Sequence, residues 1–336
     1  MSKGTDVSIY IAEEQTANIL PTTPIWHTVR RTSDSLKRTV SVSESDEILD
    51  TRFEQGSTAD SAEAGGSIEF EFSAQSQDLF FEGVAGNKFT VVDGLDVLEI
   101  GGDELATFTI VKHDRKLNYI EILTGARIGE LSITGSTEGK ITGSVTINAT
   151  SYDDQATVSP VVNPLPTTET KVLSSVDVNT FKLNDVNTVG TACAEEFTLT
   201  ISNNLTGKGC LGSQSLIANR FSEGRVTVTL NTTVALTTTS KQWIPYVISR
   251  ETMTAQIGLE DKNQNGYIFN FTKLELNNDG ISDTNATDDR TLALELKHIR
   301  EPMTITRALS MPITQAAAAR MDYLANTVLP ETLGNL

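Results

Sequence analysis

Apolar and polar residues alternate through Ile68, Phe70 and Phe72, with Ser67, Glu69 and Glu71 set between them. A period of two places the first set on one face of a strand and the second on the other, so this stretch predicts a strand with one buried face. The spacing changes directly afterwards. Leu79, Phe80 and Val84 share one side of a helix, which predicts a short helix of about two to three turns. A second strand-then-helix passage follows Gly224, with Val226, Val228 and Leu230 on the strand and Ser240 to Ile248 as the helix. Matching Gly66 to Gly224 sets the two passages 158 residues apart (66 to 224).

The rest of the chain reads largely as strands. Val7–Ala12, Trp26–Arg31 and Ser33–Val42 precede the first passage. A hairpin around Asp93-Gly94, then Ala106–Lys112, Tyr119–Leu131 (bent at Gly125 or Gly129) and Lys140–Thr150 follow it. Gly143 interrupts the last of these and marks a candidate bulge. In the second half the candidates are Val176–Leu183, Glu196–Ser202, Thr254–Glu260, Tyr267–Asn277 and Arg290–Ile299, with turns expected at Asn265-Gly266 and Asp279-Gly280. Long polar loops are expected at Glu44–Ala64 and Asn203–Ser222, in the same place relative to each strand-then-helix passage. Loops of about 20 residues inside a compact domain are commonly functional or disordered.

These elements define an all-β chain with short flanking helices. The matching order of strand, long loop, strand, helix and further strands argues for tandem duplication of a β-sandwich or partial barrel. The expected organisation is a first β domain at 1–157, a linker rich in Pro and Thr at 158–175, a second β domain at 176–306 and a partly helical C-terminal extension at 307–336. The linker holds three of the nine prolines, at Pro160, Pro164 and Pro166. Ala-rich 314–324 is the helix-prone part of the extension.

Charge narrows the function. The net charge is −18, from 44 acidic against 26 basic residues, so a protein that grips nucleic acid is disfavoured. Repulsion still suits a surface past which DNA must move without sticking. Met1 to Asp6 lacks a signal-peptide core and no apolar run reaches the ~18–20 residues of a membrane span, so a soluble, cytoplasmically made protein is expected, with no membrane partner. Cys193 and Cys210 are expected as free thiols. His27, His113 and His298 lie in separate strand regions without ligand spacing. Asp261-Lys262-Asn263-Gln264-Asn265-Gly266 matches the start of a calcium loop, but Thr272 stands where the bidentate glutamate belongs, so a hairpin turn is the stronger reading. No phosphate loop, nucleophile triad or cofactor motif is present, and no enzyme activity, cofactor or metal is expected.

Several stretches together resemble the tail tube proteins of long-tailed, non-contractile bacteriophages. They are Thr32–Leu36, Glu44–Arg52, Gly65–Glu71, Thr124–Ile128 and, in the second half, Phe221–Thr229. The resemblance implies β-sandwiches whose rings stack into a tube for genome ejection into the host, assembled in the host cytoplasm and resident in the virion tail. It implies homo-oligomeric rings, a trimer with pseudo-sixfold symmetry if two copies are fused, or a hexamer otherwise. Its other partners are the tape measure, tail tip and terminator proteins, and double-stranded DNA that passes without specific binding. On this reading Glu47, Ile48, Leu49, Asp50, Arg52 and Phe53 of the first loop, with Leu216, Ile217 and Arg220 of the second, are candidate inter-ring contacts. Glu69 and Glu71 are either outer-face charges or part of an acidic bore. The competing reading is a virion decoration or receptor-binding module.

Overall fold

The computed structural model describes residues 2–47, 50, 53, 56–282 and 289–308. Ile48, Leu49 and Arg52 of the first loop, and the helix expected at 314–324, lie outside them.

The first half runs β1 (Val7–Glu13), β2 (His27–Thr28), β3 (Ser33–Asp34), β4 (Lys37–Glu44), β5 (Ser57–Glu71), α1 (Asp78–Ala85), β6 (Thr90–Val92), β7 (Leu95–Glu99), β8 (Phe108–Asp114), β9 (Tyr119–Ser136), β10 (Thr142–Ala149) and β11 (Ser151–Ala156). The second half runs β12 (Val178–Leu183), β13 (Val186–Asn187), β14 (Ala194–Ser202), β15 (Thr206–Lys208), β16 (Arg220–Ser222), β17 (Thr227–Ala235), α2 (Tyr246–Ser249), β18 (Thr252–Glu260), β19 (Gly266–Ile281), β20 (Thr291–His298) and β21 (Thr304–Ala308). A 3-10 turn at Ser240–Trp243 leads into α2, so the second expected helix is real but broken around Pro245. Its ring leaves no backbone N–H for a continuous helical ladder.

Among the described residues the named strands pair with one another antiparallel, and single parallel bridges tie His27 to Leu165 and Ala62 to Ile217. In the first half the order is β2–β1–β8–β9–β10–β5–β3/β4, with β11 continuing β10 along β9. In the second it is β13–β12–β18–β19–β20–β17–β14, with β21 continuing β20 along β19. Even the irregularities recur. Register shifts fall between Phe108 and Ile110 of β8 and between Met253 and Ala255 of β18. They fall again where Ile128 and Glu130 face β10, and where Leu276 and Asn278 face β20. A bulge fixes register because it adds one residue to one strand only. These bulges therefore match Ile128 to Leu276 and Glu130 to Asn278.

The bend expected in β9 is at Gly125, whose φ is +60°. Any Cβ there would meet Asn18 Oδ1 at 1.9 Å and Thr150 Oγ1 at 2.1 Å, so only glycine fits. The buried Glu14 carboxylate holds the bend, accepting bonds from Gly125 N, Thr109 Oγ1 and Asn18 N, each at 2.8 Å. Before the bend β9 lies beside β8 and β11, after it beside β10 and β14, so one strand serves two layers. Ile9, Ile11, Ile110 and Leu123 of one layer and Ile68, Phe70, Leu131 and Val145 of the other bury into a single core. Phe72 continues the alternation expected for β5 and is fully buried. The helix goes deeper than its expected stripe, because Phe81 and Glu82 are buried as well as Phe80 and Val84.

Four expectations are corrected. Ser57–Ala64 is not loop but the first part of β5, paired with β4 in a long hairpin. Gly143 is not at a bulge; its register with β9 and β5 is continuous, and a Cβ there would strike the Phe70 ring at 2.6 Å. Asp279-Gly280 is not a turn, since Gly280 pairs with Ala293 inside β19. Gly66 does not correspond to Gly224: against the shared neighbours β10 and β20, Gly65 of β5 takes the place of Thr229 of β17.

Candidate assembly surfaces

The segment between the halves is bound along the first half rather than free. Leu165 N donates to Trp26 O at 2.7 Å and Thr28 N to Leu165 O at 3.1 Å. Arg30 Nη1 donates to the carbonyls of Thr168 at 3.2 Å and Thr170 at 2.9 Å.

The halves then join edge to edge. β14 pairs with the far part of β9, from Glu196↔Ser136 to Ser202↔Glu130. Asn203, buried just beyond, donates from Nδ2 to the carbonyls of Val84 at 3.1 Å and Ile128 at 3.0 Å. A second joint pairs β21 with β7. Beside it, Phe72 and Phe81 meet Tyr267 at 5.6 and 5.0 Å between ring centroids, and Phe81 meets Phe269 at 6.0 Å. The Tyr267 hydroxyl donates to Asp78 and accepts from Gln75 N at 2.8 Å. Arg307 forms ion pairs with Asp78 and, at 2.8 Å, with Asp96, and lies 4.5 Å over the Phe89 ring. Burial alone would disfavour the Arg307 charge, but the two carboxylates outweigh it and hold the guanidinium protonated. Burial, then the Asp78 charge, pushes the Tyr267 hydroxyl well above its ordinary value. No local pattern marks this cluster, because Asp78 stands 189 positions from Tyr267 and 229 from Arg307.

Through the β9–β14 joint, β5, β10, β9, β14, β17, β20 and β19 form one continuous sheet. Its face away from the core is set by cross-strand partners. Glu69 stands opposite Ser144, which stands opposite Ser132, which stands opposite Thr200 and then Thr229. Glu71, Thr142, Thr134, Thr198, Asn231 and Glu295 form the next row. The first row continues from Thr229 to the exposed Lys297, so this face is a field of Ser and Thr punctuated by carboxylates and by a lysine. Glu69 is exposed and accepts a 2.7 Å bond from Ser33; Glu71 is half-buried and ion-paired with Lys140.

β4 and the start of β5 form a projecting arm. All of β4 and residues 57–61 of β5 are exposed, as are Glu47, Asp50 and Phe53. The second candidate loop lies against the base of that arm: Ala62 N donates to Leu216 O at 2.9 Å, and Ile217 is buried in a bridge with Ala62. Leu216 and Arg220 remain exposed. The second loop thus meets β5 at the base of the arm.

The remaining candidates lie on separate strands, turns and loops. Asp261 Oδ1 accepts from the backbone N–H groups of Asn263 at 2.8 Å and Asn265 at 2.9 Å, which makes the calcium-like stretch a hairpin turn. His27, His113 and His298 lie on β2, β8 and β20, and no metal-binding cluster occurs among the described residues. Cys193 and Cys210 are exposed free thiols. No helix among the described residues is long and apolar enough to cross a membrane.

A largely β chain with a continuous sheet, one hydroxyl-rich face and a projecting hairpin is a scaffold for assembly. The profile of the phage tail tube protein family matches residues 4–296, nearly the whole chain, and the chain belongs to that family. It is a structural protein of the phage virion tail. A search of curated proteins found no match to the chain.

Proposed function

We propose that this chain polymerises into closed rings that stack into the tail tube, the conduit through which the genome leaves. The observation that carries this reading is the doubled pairing order, with the second half docked by its edge strand on the first. Two repeats joined edge to edge are one arc of a ring, and three such chains give a trimer with pseudo-sixfold symmetry. Tandem duplication accounts for the recurrence of the bulges as well as of the strands.

The Ser/Thr face supports the assignment of Glu69 and Glu71 to the bore. Short hydroxyl side chains stay hydrated and the carboxylates repel phosphate; Glu71 offsets Lys140, and Glu275 stands opposite the exposed Lys297, so cationic points at which DNA could stop are few and neighboured by acid. The β4–β5 arm reaches the neighbouring ring. Tape measure, tip and terminator proteins are its partners at the tube ends. Negative-stain electron microscopy of the purified protein tests the reading: hollow tubes or stacked rings are expected. A protein that stays monomeric at every concentration and salt condition counts against it.

A further inference from the structure

The joint inside the chain is a template for a second one. β9 carries β10 along one edge and, along the other, β8 as far as Ala126 and then β14 from Glu130. β19 carries β20 along one edge and β18 along the other as far as Glu275. Beyond that, at Asn278 to Ser282, the second edge has no strand partner among the described residues, although the bulges match these positions to Glu130–Thr134 of β9. Burial reports the same difference. Ile133 of β9 is 1% exposed beneath its partner Leu199. Its counterpart on β19, Ile281, is 40% exposed. The counterpart of β14 in the first half is the strand through β3 and the start of β4. Ser33 pairs with Glu69 of β5 as Glu196 pairs with Thr233 of β17. Its outer edge, too, has no strand partner among the described residues.

We propose that the outer edge of Ser35–Thr39 from a second copy adds to the open edge of β19, in the register of the β9–β14 joint. This rests on the self-assembly reading above and names the surfaces that close the ring. Transferring that register sets Leu36 opposite Ile281, Lys37 opposite Gly280 and Thr39 opposite Asn278. Backbone polarity agrees independently. Ser35 N donates to Ser67 O, and Ser282 N donates to Thr291 O. Bonding groups in a strand alternate between its two edges, so Leu36 and Ile281 direct theirs to the open sides. The Leu36 carbonyl holds only a long contact, 3.5 Å from Lys112 Nζ.

Lys37 and Gly280 then form a non-hydrogen-bonded pair, the closer kind, with Cα atoms about 4.5 Å apart and within disulfide reach. A Cβ on Gly280 comes no nearer to its surroundings than 3.6 Å, so cysteine fits there. The test is the pair K37C and G280C in a chain whose Cys193 and Cys210 are replaced by serine. Assembled rings, verified by microscopy, are oxidised and run on a denaturing, non-reducing gel. Covalently closed trimers are expected, and at least about tenfold less product from the shifted pair K37C and N278C, whose Cα atoms lie beyond disulfide reach. Rings or tubes that form but do not cross-link at 37 and 280 overturn this joint and leave the tube reading standing. A parent chain that never assembles overturns both. As a second variant, Ile281→Asp leaves the isolated chain's melting temperature unchanged and raises the concentration needed for assembly at least about tenfold, a loss of one strong contact. Assembly at the parent concentration overturns the joint.

Discussion

β5 has two ends that could hardly differ more. From Ser57 to Ser61 every residue is exposed, and the strand has only β4 for company. From Ile68 onward it lies between β3 and β10, its apolar residues are buried, and it runs on through Phe72 into the aromatic cluster shared by the halves. One strand thus anchors the fold at one end and projects from it at the other. On the proposed assembly the difference separates two kinds of residue: those whose loss unfolds the subunit and those whose loss leaves it folded but unable to assemble.

The anchored end gives the largest effects. Phe81→Ala removes the ring that touches Phe72, Tyr267 and Phe269, and should lower unfolding free energy by about 3–5 kcal/mol in a denaturant titration. Arg307→Met strands Asp78 and Asp96 at the joint and should cost about 3 kcal/mol, partly restored by Asp78→Asn, since that removes the unpaired charge. Ile217→Ala, at the base of the arm, should cost about 2 kcal/mol, near the low end for a buried isoleucine.

The two smallest effects sharpen the contrast. Burial holds the His298 imidazole below its ordinary value of 6.5, with Glu301 opposing. The unfolded chain therefore binds the proton first as pH falls, so this residue leaves stability untouched above pH 6.5 and erodes it below. His298→Leu should flatten that part of the pH–stability curve. Replacing Val42–Thr58 by a short turn should change subunit stability by no more than about 0.5 kcal/mol, as for other exposed sites, yet abolish tubes under the microscope. A large loss of stability there would show that the arm is part of the fold.

The same contrast explains what could be read from sequence. Alternation made Ile68, Phe70 and Phe72 legible because one face of that stretch is buried. Ser57–Ala64 escaped because both its faces are largely solvated and small polar residues leave no period. Asn265-Gly266 and Asp93-Gly94 were legible as turns, but Asp279-Gly280 carries the same signal inside a strand, where pairing with β20 overrides local preference. The repeated order was visible, whereas its register was not. Gly66 is needed where φ is +142° and a Cβ would strike Ser35 O at 2.5 Å. Gly224 answers a different contact, with Asn204, so the two glycines share a letter and not a position. The cluster of Asp78, Tyr267 and Arg307 left no local trace, because only folding brings those side chains together.

The strap from Leu165 to Thr170 has a consequence for counting. It holds the connecting segment along the first half of its own chain, and both halves enter any assembly together on one polypeptide. In the proposed ring each added chain fills two positions, and a complete ring contains an even number of them. A chain lost from it leaves a gap two positions wide, which no single repeat can fill.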